Sequence, residues 1–108
     1  MFTKDKFNKE IQNIIEQLIK VYKPHKIILF GSSAKGTENP KDIDLFIIKK
    51  EIPTLGVDRI RQLDGLIRYR LATDFIVYKP EEVEQRLKLG DPFIENIFRE
   101  GEVLYDAE

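Results

Sequence analysis

The sequence contains no cysteine and no tryptophan, and only one histidine and one methionine. Without thiols, disulfides, thiolate metal sites and cysteine nucleophiles are all excluded. Long apolar runs are also missing. The stretch Leu45-Phe46-Ile47-Ile48 follows Asp44 directly and is far too short to span a bilayer, so no membrane role is expected. The opening Met1-Phe2-Thr3-Lys4-Asp5-Lys6 is charged and has no apolar signal core, which makes a cytoplasmic setting the expectation. Neither sign of charge is in surplus: 18 basic residues against 19 acidic ones give a net charge of −1. Non-specific attraction to nucleic acid needs a basic surplus, so direct nucleic-acid binding is not expected. A nucleotide site needs only local charge and stays open.

Apolar residues are plentiful. Ile, Leu and Val number 30 and Phe seven in a chain of 108, enough for one sizeable core. Repeats, low-complexity tracts and linkers are absent, so residues 1–108 are read as a single domain. Phe7, Ile11, Ile14, Ile15, Leu18 and Tyr22 recur at helical spacing and predict a helix over about residues 4–22, stopped by Lys23-Pro24. Ile27-Ile28-Leu29-Phe30 and residues 43–48 read as strands buried on both faces. Between them, residues 31–41 form a loop rich in Gly, Ser, Asn and Pro. A helix is expected over roughly residues 57–71, a third strand over 74–78, and a helix from Pro80 to about Leu89. Asp91-Pro92 opens a last short helix that Gly101 closes, and Val103-Leu104-Tyr105 could add an edge strand. Helices between buried strands predict an α/β (α+β) fold, with a small mixed sheet of three to four strands packed by helices.

The chemistry concentrates in residues 29–46. In a strand, Asp42 and Asp44 project to the same side, about 6.5 Å apart along the chain. Like charges so placed are unfavourable unless something offsets them. They could share hard divalent ions such as Mg²⁺, or simply cap a turn at the strand start. Gly31-Ser32 directly follows the first strand. The glycine would let a ligand approach the backbone, and the serine offers a hydroxyl and free N–H groups suited to phosphate. Plain strand-to-turn punctuation explains the pair as well. A P-loop is excluded: Gly31 and Gly36 have its separation, but Thr37-Glu38 stands where Lys-Ser/Thr is required.

Taken together, strand, Gly31-Ser32, a short loop, Asp42-Ile43-Asp44-Leu45 and a later strand opening with Asp74 resemble the nucleotidyltransferase superfamily of DNA polymerase β. More narrowly, Leu29-Phe30-Gly31-Ser32-Ser33-Ala34-Lys35-Gly36 resembles the hallmark of the minimal nucleotidyltransferases, the antitoxins of HEPN toxin–antitoxin pairs. Lys79-Pro80-Glu81-Glu82-Val83 and the stretch from Asp91-Pro92-Phe93 to Tyr105 are similar to that family's closing segments. The resemblance implies that Gly31 and Ser32 hold the triphosphate of ATP. It implies that Asp42 and Asp44 ligate two Mg²⁺ ions, and that Asp74 is the third carboxylate beside the attacking hydroxyl. It further implies transfer of AMP to a hydroxyl, with a tyrosine of a HEPN-type partner protein as acceptor. Lys35 stands where the family has arginine, and Lys41 where a serine or acid often precedes the first aspartate. The rival reading is a catalytically idle antitoxin that neutralises its partner by contact alone.

Other polar residues have plainer expectations. His25 is read as a surface residue. Arg59, Arg61, Arg68 and Arg70 are placed on the middle helix, as a solvated face or a partner surface. Tyr78 shares a strand face with Asp74, beneath the site or in packing.

Overall fold

The computed structural model describes residues 4–31, 34 and 42–107. Helix α1 (Lys4–Gln17) continues without a break into a wider π-helical turn, Leu18–Tyr22. Its six periodic apolar residues, Phe7 through Tyr22, are all buried. Pro24 forbids a further α-turn, and Lys23 ends the helix in the left-handed region, its N–H donating to the Leu18 carbonyl at 2.8 Å. After it come β1 (Lys26–Phe30), β2 (Ile43–Ile48), α2 (Gly56–Leu66) and β3 (Thr73–Tyr78). The chain continues through α3 (Pro80–Lys88), α4 (Pro92–Glu100) and β4 (Glu102–Asp106).

The strands form one mixed sheet in the order β3-β2-β1-β4. β1 is antiparallel to both β2 and β4, while β2 and β3 are parallel, with α2 as the crossover. Alternation sorts the strand residues onto two faces. Ile27, Leu29, Leu45, Ile47, Phe75 and Val77 pack with the apolar residues of α1 and Leu63 of α2. Ile28, Phe46 and Ile48 pack with Val83 of α3 and with Ile94 and Ile97 of α4. Helices therefore cover both faces, and the two central strands are buried on both, as their apolar runs predict. The expected edge strand is present as β4.

The end of the middle helix departs from expectation. Ile67 and Leu71 continue the helical period of α2, yet the helix ends at Leu66 and Ile67 is extended. Side chains of α1 account for this by taking over the backbone groups a longer helix would have paired. The Gln17 amide accepts from the Arg68 N–H at 2.8 Å and donates to the Arg68 carbonyl at 2.7 Å. Glu10 accepts the N–H groups of Arg70 and Leu71. Tertiary hydrogen bonds thus override the local period, and Arg68 and Arg70 lie beyond the helix rather than on it. Arg59 departs further from expectation: it is buried, not part of a solvated face.

Candidate functional site

Strand directions assemble the candidate residues. β1 runs opposite to β2 and β2 runs parallel to β3, so the last residue of β1 and the first residues of β2 and β3 meet at one end of the sheet. Asp44 is in register with Phe30 on one side and with Asp74 on the other. Asp42, two residues before Asp44, stands exposed at the entry to β2. Gly31, Asp42, Asp44 and Asp74 are thereby brought together. Ser32 lies outside the described residues, as does most of the loop expected over 31–41.

Asp44 is the most constrained of these groups. It is half-buried between its neighbours, and burial pushes its carboxyl above the usual range. The charges of Asp74 and Asp42 and a hydrogen bond with Asp74 push it the same way. A pair of oxygen donors that repel each other suits a hard divalent cation, which would offset the repulsion. Among the described residues, no three carboxylate or imidazole groups close into a ready ligand cluster. The three aspartates are neighbours rather than a finished cage.

Gly31 has a reason of its own to be glycine. Its φ of +70° lies in the left-handed region, and a Cβ added there would fall 2.6 Å from Oδ2 of Asp44. Any side chain would strain the turn and displace the Asp44 carboxylate. The bare backbone keeps that carboxylate in place.

The sheet face that bears Asp44 is aromatic. Phe93, the second residue of α4, stands edge-to-face on Phe30, with ring centroids 5.9 Å apart and an interplanar angle of 89°. Phe46 packs on Tyr78 at 5.4 Å and on Phe98 at 6.1 Å. Tyr78 is therefore a packing residue, four positions along β3 from Asp74. His25 is exposed, and its N–H donates to the Ile48 carbonyl, which places it at the opposite end of the sheet.

Sequence reasoning missed two features. The Phe30–Phe93 contact joins residues far apart in the chain, and no local pattern announces it. Arg59 reaches across from α2 to the edge of β3 and donates to the Val77 carbonyl and to both Glu82 oxygens. Glu82, three residues after Lys79 at a Pro-initiated helix, was the visible half of that pair. It accepts the Lys79 N–H at 2.8 Å.

A four-stranded mixed sheet between helices, with carboxylates gathered where β1, β2 and β3 meet, defines a nucleotidyltransferase fold. Residues 10–108 match the family described as polymerase beta, nucleotidyltransferase, and the chain belongs to that family. It is 30% identical over 112 residues to a Methanocaldococcus jannaschii protein named "Putative protein adenylyltransferase", a match covering 93% of this chain and 75% of that protein. No solved structure matches the chain. General nucleotidyl transfer follows from the family. Among the described residues, no helix is long and apolar enough to cross a membrane.

Proposed function

We propose that the protein is a minimal nucleotidyltransferase that moves AMP from ATP to a protein hydroxyl, a tyrosine of a HEPN-type toxin for which it acts as antitoxin. The carrying observation is the register of Asp44 with Asp74 beside the bare backbone of Gly31. The name of the M. jannaschii relative supports both the adenylyl group and a protein acceptor.

In this reading Gly31 and Ser32 receive the triphosphate, and Asp42, Asp44 and Asp74 hold Mg²⁺. The metal, when bound, supplies positive charge that stabilises the attacking and leaving oxygens of an in-line displacement. Asp74 stands at the outer strand, where an acceptor can approach, and its carboxylate orients the hydroxyl and takes its proton. The acceptor oxygen bonds to the α-phosphorus as the bond to the bridging oxygen breaks, and pyrophosphate leaves.

The test mixes the protein with Mg²⁺, ATP labelled at the α-phosphate and the product of the adjacent gene. A label on a partner tyrosine with wild type but not with Asp74→Asn supports the reading. No transfer by wild type, with full neutralisation by Asp42→Asn and Asp74→Asn, overturns it in favour of a contact antitoxin.

A further inference from the structure

We infer that Phe93, backed by Phe30, is the stacking surface for the nucleobase of the incoming nucleotide. This rests on the nucleotide-binding reading above and adds to it the residue that holds the base. The starting point is the register: Phe30 faces Asp44 directly across the β1–β2 pair, so the two side chains share one sheet face. Phe93 packs edge-on against Phe30 and is still 46% exposed. The ring is thus joined, through Phe30, to the strand position that faces the Asp44 carboxylate.

The ring is also held still. Pro92 opens α4, and the Asp91 carboxylate accepts the Phe93 N–H at 3.0 Å and the Ile94 N–H at 3.5 Å. Arg86 lies 3.4 Å from the other Asp91 oxygen. Ile94 and Ile97, on the adjacent stripe of α4, are buried in the core. An apolar ring nearly half open to water, fixed at its backbone and packed on the residue that faces Asp44, is placed to receive a flat ligand. Base stacking on an aromatic ring tolerates any base, because every base has a π-face. Phe93 therefore secures the base without selecting it.

Phe98 supplies an internal control. It lies on the same helix, is 38% exposed and packs on Phe46, two residues further along β2 from Asp44. It therefore packs further along the sheet from Gly31 than Phe93 does.

Calorimetric titration with Mg·ATP and with Mg·tripolyphosphate, which carries no base, tests the inference. Phe93→Ala is expected to weaken ATP binding about tenfold or more while leaving tripolyphosphate binding unchanged. Phe93→Trp and Phe98→Ala should bind ATP like wild type. Phe93→Leu keeps apolar bulk without a π-face, so it decides the matter if the alanine variant fails to fold. ATP binding by Phe93→Leu at wild-type affinity overturns the inference alone, with the nucleotide reading intact. Wild type that binds neither ATP nor tripolyphosphate overturns both.

Discussion

Glu82 grips the Arg59 guanidinium with both carboxylate oxygens, at 2.8 Å and 2.9 Å. The same guanidinium donates to the carbonyls of Pro53, Thr54 and Val77. One buried side chain therefore joins the loop after β2, helix α2, the outer edge of β3 and the start of α3.

Breaking this arrangement should be costly, because removing one partner leaves buried acceptors without donors. Arg59→Met is expected to lower stability by about 3 kcal/mol. Arg59→Lys should recover only a small part of that, since an ammonium cannot reproduce the planar fork. Urea unfolding followed by circular dichroism measures both, and a midpoint unchanged in Arg59→Met would contradict the assignment.

Glu10 predicts a pH dependence. Burial pushes its carboxyl up, but the N–H groups of Arg70 and Leu71 and the Asn13 amide together outweigh burial and hold it below its ordinary 4.5. A carboxyl lowered in the folded state contributes stability that is fully present above about 4.5 and fades as pH falls through the folded value. Glu82 is lowered in the same direction, by Arg59 first. Glu10→Gln should therefore be less stable than wild type at neutral pH, by about 1–2 kcal/mol. The gap should close as the solution is acidified from 4.5 downward, through the folded value. Melting temperatures of the two proteins across that range give the comparison.

Asp44 predicts the opposite sign. The fold disfavours its ionised form, so Asp44→Asn should melt at the same or a higher temperature than wild type in chelator. Millimolar Mg²⁺ should raise the melting temperature of wild type by mass action and leave the variant unmoved. An equal metal response in Asp44→Asn would remove this carboxylate from the proposed metal site.

What the sequence shows, and what it hides, divides along physical lines. β1 and β2 are legible because strands buried on both faces need unbroken apolar runs, and Gly31 ends the first of them; β3 is an apolar run closed by Pro80. The shared side of Asp42 and Asp44 is legible from alternation alone. Their approach to Asp74 is not, because it depends on β2 and β3 pairing in parallel with a particular register. The end of α2 is hidden for a related reason. Ile67 and Leu71 keep the helical period, while the groups that end the helix, Gln17 and Glu10, lie some 50 to 60 residues earlier. Arg59 looks like one of several arginines until its burial and its five acceptor contacts are seen.

The parallel pairing of β2 with β3 has a consequence for how the protein reaches its folded state. Residues 49–72 must loop back as a crossover before Asp44 can meet Asp74, and such closure comes before any contact rewards it. A chain in which β3 has not yet docked lacks the carboxylate pair altogether. The repulsion between the two aspartates is thus encountered at the docking step itself. Under the metal-site reading, a divalent cation in the refolding buffer acts on the speed of that step as well as on the stability of its product.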